Sequence, residues 1–75
     1  MKEYEVVYTY LNGCAGDAYP QTTFEEVEIT SPDAYIREKF GKDFQHFVKE
    51  IRPNGQIVYT FDNGTICHTY EFTEL

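Results

Sequence analysis

From its second residue the chain alternates. Tyr4, Val6, Tyr8 and Tyr10 recur at every other position, with Glu3, Glu5, Val7 and Thr9 between them. Successive side chains of a strand point to opposite faces, so residues 2–11 predict a strand with one aromatic face and one partly acidic face. Residues 12–21, Asn-Gly-Cys-Ala-Gly-Asp-Ala-Tyr-Pro-Gln, are turn formers and small residues and predict a loop. Residues 22–30 predict a second strand, with Val27 and Ile29 on one face and Glu26 and Glu28 on the other. Phe24 is out of phase with Val27, so a bulge or a late strand start is expected.

Ser31-Pro32-Asp33 has the composition of a helix start. Ser31 can cap, Pro32 suits the first helical position, and Asp33 complements the positive end of the helix dipole. Ile36 and Phe40 stand four apart on one helix face. Gly41 then reads as the residue just past the end, with one further turn reaching about Phe44. A competing pattern, Ile36, Phe40, Phe44, Phe47 and Ile51, would carry a single helix through Gly41. The turns that follow favour the shorter helix.

Arg52-Pro53-Asn54-Gly55-Gln56 suits a three-residue hairpin loop, a type I turn followed by a left-handed Gly55. It pairs Arg52 with Gln56, Ile51 with Ile57, Lys49 with Tyr59 and Phe47 with Phe61. A two-residue Asn54-Gly55 loop would put the apolar faces out of match, and a buried face specifies register strongly. For Asp62-Asn63-Gly64-Thr65 the expected loop is the two-residue Asn63-Gly64 turn. That sets Phe61 opposite Ile66, Tyr59 opposite His68 and Ile57 opposite Tyr70. Residues 46–73 then form a three-strand meander whose apolar face carries Phe47, Ile51, Ile57, Tyr59, Phe61, Ile66, His68, Tyr70 and Phe72. Val48, Glu50, Val58, Thr60, Cys67, Thr69 and Glu71 lie on the other face.

The predicted fold is therefore α+β, a single domain spanning residues 1–75. It is an antiparallel sheet of about five strands in the order β-β-α-β-β-β, with one helix packed on one face. The pattern leaves open how the first two strands join the last three.

Composition narrows the functional classes. The net charge is −7, and it is uneven. Residues 1–30 hold six acids (Glu3, Glu5, Asp17, Glu25, Glu26, Glu28) against Lys2, a net of −5, whereas residues 31–75 hold seven acids against five bases, a net of −2. Such a chain is not expected to bind nucleic acid or anionic membrane directly; a charged partner should be a protein with a basic surface. At 75 residues, 13 of them Tyr or Phe, most large side chains are needed for the core, which favours binding over catalysis. Two cysteines, Cys14 and Cys67, make no disulfide framework. The opening Met-Lys-Glu-Tyr-Glu lacks the apolar run of a signal peptide, so a cytoplasmic location is expected.

Candidate chemistry is sparse. Cys14, His46, Cys67 and His68 could be zinc ligands, but their spacing matches no standard zinc pattern, and Cys67 and His68 point to opposite faces of a strand. A reactive Cys14 would need a nearby base, and acidic surroundings raise a thiol's pKa. Gly13-Cys14-Ala15-Gly16-Asp17 follows a strand like a phosphate loop, but lacks the Gly-Lys-Ser/Thr ending and opens no helix. No catalytic residue, metal or cofactor is expected. Within the 12–21 loop, Asp17 and Tyr19 are candidate partner contacts, tyrosine being favoured at interface hot spots.

The acidic residues give the sharpest expectation. If strands 2–11 and 22–30 pair, Glu3, Glu5, Glu26 and Glu28 share one face. Carboxylates two residues apart on a strand repeat at about 6.5–7 Å, close to the spacing of successive phosphates along one nucleic-acid strand. The plain alternative is a solvated face that keeps a small protein soluble. The expected function is a non-catalytic protein-interaction module. Its contacts would be Glu3, Glu5, Asp17, Tyr19, Glu26 and Glu28. The sharper alternative is a nucleic-acid-mimicking inhibitor of a nuclease. A metal-binding or cysteine-dependent protein is the third reading, and a homodimer through a sheet edge is a further expectation.

Overall fold

The structure, a computed structural model, describes residues 1–12 and 20–75. Five strands are seen: β1 (Lys2–Asn12), β2 (Gln21–Ile29), β3 (Val48–Ile51), β4 (Ile57–Asp62) and β5 (Ile66–Glu74). Between β2 and β3 lie the helix α1 (Pro32–Phe40) and a short 3-10 helix, Gly41–His46. The strands form one sheet in the order β2-β1-β5-β4-β3, every neighbouring pair antiparallel. The order β-β-α-β-β-β and the helix on one face are those the pattern predicts. Among the described residues no helix is long and apolar enough to cross a membrane.

The helix begins as its sequence dictates. Ser31 Oγ accepts the Ala34 N–H at 3.2 Å, and Pro32 fills the first turn, where its missing N–H costs nothing. Gly41, at φ 56°, ends it with its N–H on the Arg37 carbonyl. The chain continues as a 3-10 turn, and Phe47 N–H donates to Phe44 O before β3 begins.

One face of the sheet carries the core beneath the helix. Tyr4, Val6, Tyr59, Tyr70 and Phe72 come from three strands, and Ile36 of α1, fully buried, closes onto them. Burial of a side chain such as Ile36 contributes about 1.5–3 kcal/mol. Tyr8 stacks on Tyr70 at 4.5 Å, and Tyr35 of α1 meets Phe72 edge-on at 5.4 Å. Phe40 packs against Phe47 and His68. Aromatic contacts of these kinds are each worth about 0.5–1.5 kcal/mol beyond area burial.

Polar contacts locate α1 across the sheet. The Tyr35 hydroxyl donates to Glu25 of β2 at 3.2 Å. The Tyr59 hydroxyl of β4 donates to Asp33 Oδ1, and Lys49 Nζ of β3 lies 3.3 Å from the same oxygen. Asp33 thus does more than complement the helix dipole. It ties the helix start to β3 and β4.

The first loop of the meander matches its prediction. Arg52 N–H donates to Gln56 O, Gly55 N–H donates to Arg52 O, and Gly55 takes φ 88°. Ile51 pairs with Ile57 and Lys49 with Tyr59.

Three expectations are corrected. In the second hairpin Asp62 pairs with Cys67, Phe61 with His68, Tyr59 with Tyr70 and Ile57 with Phe72, two residues from the predicted register. A two-residue Asn-Gly turn needs positive φ at both positions, and only Gly64 has it, at 91°. Instead, the Asn63 side chain accepts the N–H groups of Thr65 and Ile66, and Asp62 accepts that of Gly64. The side chains hold a longer loop open while keeping the same faces. Second, β2 has no bulge: it pairs with β1 in one continuous register from Gln21 to Ile29, leaving Phe24 on the face away from the helix. Third, Ile51 is 67% exposed, because β3 is the outermost strand.

The hydrogen bond from Tyr59, ahead of the nearby Lys49 ammonium, holds the Asp33 carboxyl below its ordinary pKa. A depressed carboxylate stabilises the fold above its unfolded value, about pH 4, and that contribution disappears as pH falls through the folded value. Asp33→Asn should therefore lower the melting temperature at pH 7, with the gap to the native protein closing progressively as pH falls below the ordinary carboxylate value. Melting curves from pH 2 to 7 check this, and a gap independent of pH would contradict it.

Candidate acidic interface

The face of the sheet away from α1 is built by strand alternation alone. The register places Glu3 opposite Glu28, Glu5 opposite Glu26, Val7 opposite Phe24 and Thr9 opposite Thr22. On the far side of β1, Glu5 faces Thr73, Val7 faces Glu71 and Thr9 faces Thr69. The four carboxylates Glu3, Glu5, Glu26 and Glu28 thus form a compact block at one corner of this open face. Phe24, 71% exposed, lies beside it against Val7.

The hydrogen-bond phase sharpens the crowding. Leu75 N–H donates to Glu3 O at 2.9 Å, one step beyond the Tyr4–Glu74 pair. Odd-numbered residues of β1 therefore bond towards β5, and even-numbered ones towards β2. Glu3–Glu28 and Glu5–Glu26 are consequently non-hydrogen-bonded pairs of the β1–β2 ladder, in which opposed Cα atoms approach to about 4.5 Å. Like charges directly opposite destabilise a sheet.

Among the described residues no ion pair neutralises the block. Among the described residues, the ion pairs join Lys2 to Glu74, Lys49 to Asp33, and Arg52 to both Glu50 and Glu71. Arg37 and Lys39 lie over the rings of Phe44 and Tyr35. The rest of the open face is balanced differently. Arg52 spans Glu50 and Glu71, which flank Val58 on neighbouring strands, and Val58 is left only 4% exposed. Val48, 69% exposed, stands at the β3 edge of the same face, but around Val58 the apolar surface is covered and the carboxylates are paired. At the β1–β2 corner neither is so.

The other candidates do not assemble. Cys67 points to the open face opposite Leu11 and Asp62, and His68 to the core face. His68 shares a 2.7 Å hydrogen bond with the Tyr8 hydroxyl and lies among Tyr10, Phe40 and Phe61; burial holds its pKa below the ordinary value. Burial likewise raises Tyr8, with Tyr10 adding to it. His46 stacks on Phe61. Among the described residues no cluster of three or more His, Cys, Asp or Glu side chains is placed to hold a metal ion, and Cys67 has no disulfide partner. Cys14, Asp17 and Tyr19 lie outside the described residues. Sequence reasoning thus found the four glutamates but missed Phe24 as part of their surface. Its even-numbered position, in phase with Glu26 and Glu28, was the available signal.

Relieving the like-charge pair should stabilise the protein. Glu26→Gln is expected to raise unfolding free energy by up to about 1 kcal/mol. The gain should shrink in 1 M salt, where the screening length falls to about 3 Å. Denaturant titrations at low and high salt test this, and a loss of stability at both would show that Glu26 makes a favourable contact.

No family model, curated protein or solved structure matches this chain.

Proposed function

We propose that this chain is a non-catalytic protein-interaction module whose open face, at the β1–β2 corner, binds a basic surface on another protein. The observation that carries the reading is the block of four unneutralised carboxylates, two pairs of which oppose each other directly, with an exposed Phe24 at its border. A stable fold gains nothing from that arrangement. Departures from local consistency are expected where function requires them. A cationic partner would convert the repulsion into attraction, and Phe24 would supply the apolar contact that charge alone lacks.

A second reading draws on the two-residue spacing of Glu3 with Glu5 and of Glu26 with Glu28. Rows of carboxylates at about 6.5–7 Å suit the phosphate-binding groove of a nuclease or other nucleic-acid-binding protein, which would make the chain a charge-mimicking inhibitor. On that reading, added DNA should compete for the partner.

Affinity capture from the source organism's lysate, at low and high salt, tests both. The native chain should retain at least one basic protein at about 50 mM salt and release it at about 500 mM, as screened charge contacts do. The folded double variant Glu26→Lys/Glu28→Lys should retain it at least about tenfold less, a difference of ~1.4 kcal/mol or more. Identical capture by both proteins at both salt concentrations would overturn the proposal.

A further inference from the structure

The outer edge of β2 offers more than charge. The ladder phase that turns the even-numbered residues of β1 towards β2 also fixes β2 itself. Gln21, Thr23, Glu25 and Val27, opposite Tyr10, Tyr8, Val6 and Tyr4, bond inward. Thr22, Phe24, Glu26 and Glu28 therefore turn their N–H and C=O groups outward, away from β1. Among the described residues no strand pairs with that edge. The same four residues place their side chains on the open face. At Glu26 and Glu28, unpaired backbone and an unneutralised carboxylate thus belong to the same residue.

Resting on the interaction-module reading above, we propose that the outer edge of β2 is a strand-addition site for an extended basic segment of the partner protein. The segment would carry Lys or Arg at the alternate positions that face Glu26 and Glu28, and an apolar residue facing Phe24. A chain hydrogen-bonded to that edge sets every second residue directly opposite Thr22, Phe24, Glu26 and Glu28, with its side chains on the open face. A Lys or Arg opposite Glu26 or Glu28 has the length to cross the outer carboxylate and reach Glu5 or Glu3 behind it.

Charge complementarity chooses this occupant over a second copy of the chain. Joining two β2 edges would bring together two strands that each carry Glu25, Glu26 and Glu28, on proteins of net charge −7. Glutamates on an exposed edge oppose self-pairing and admit a basic strand. The opposite edge of the sheet is a poorer template, because β3 is only four residues long, against nine for β2.

The probe is a fluorescent ten-residue synthetic peptide with Lys at alternate positions, Thr between them and one central Val. Its control is the same peptide N-methylated at the Lys and Val positions, which keeps the charge and removes the N–H groups that would bond to β2. Anisotropy titration should show the unmethylated peptide binding at least about tenfold tighter, with the amide resonances of Phe24, Glu26 and Glu28 shifting on binding. Phe24→Pro removes an outward N–H that serves no internal ladder bond, so the folded variant should lose the preference for the unmethylated peptide. Should that variant fail to fold, the comparison of the two peptides on the native protein decides by itself. Equal binding of both peptides, lost in Glu26→Lys/Glu28→Lys, would overturn strand addition and leave the acidic face as the binding surface. Binding by neither peptide also overturns strand addition, while the two-salt capture decides the broader reading separately.

Discussion

Tyr4, Val6 and Tyr8 turn one side of β1 into the core, and their contacts with Phe72 and Tyr70 of β5 hold that strand in place. A one-residue slip would expose all three, and a two-residue slip would break the Tyr8–Tyr70 stack. Each buried side chain of this kind contributes about 1.5–3 kcal/mol, whereas an exposed like-charge pair costs at most about 1 kcal/mol. Burial wins. The residues between the aromatic ones have no freedom of their own, so Glu3 and Glu5 are carried onto the open face wherever β1 goes. Because Tyr4 also pairs with Val27, a partly buried member of the same core layer, Glu28 and Glu26 are brought opposite them.

The acidic block is therefore imposed by the core rather than tolerated at a flexible surface. That gives it two properties useful in recognition. The carboxylates sit on strands, so their spacing is fixed before any partner arrives, and little ordering entropy is lost on binding. The backbone of Glu26 and Glu28 also lies on the β2 edge, so two of the four carboxylates stand on residues whose N–H and C=O groups turn away from β1. On the β3–β4–β5 part of the open face, by contrast, Arg52 neutralises Glu50 and Glu71. The contrast lies within one surface of one small sheet, and net charge alone does not account for it.

Most of the architecture was legible in the sequence because alternation is a strong signal in strands with one buried face. The Ser31 cap, the Gly41 stop and the Arg52–Gln56 loop each rest on one local rule that nothing overrides. What escaped reading was decided between equals. In the last hairpin both registers keep the aromatic residues on one side, so periodicity cannot separate them. The choice falls to hydrogen bonds from the Asp62 and Asn63 side chains to nearby backbone. Phe24 was misjudged for a different reason. A large apolar residue invites a bulge that would bury it, but the unbroken ladder with β1 leaves it outside. The glutamates were legible as a face, whereas the ladder phase that makes their pairs close, and turns β2's backbone outward, needed the paired strands.

Amide hydrogen exchange along β2, measured residue by residue on the isolated protein, tests this account most directly. If β1 is locked as the core requires, the amides of Thr23, Glu25 and Val27 exchange slowly, and those of Phe24, Glu26 and Glu28 exchange at close to unprotected rates. Protection in the opposite phase, or no alternation at all, would mean that β1 and β2 pair differently and that the carboxylates are not held opposite one another.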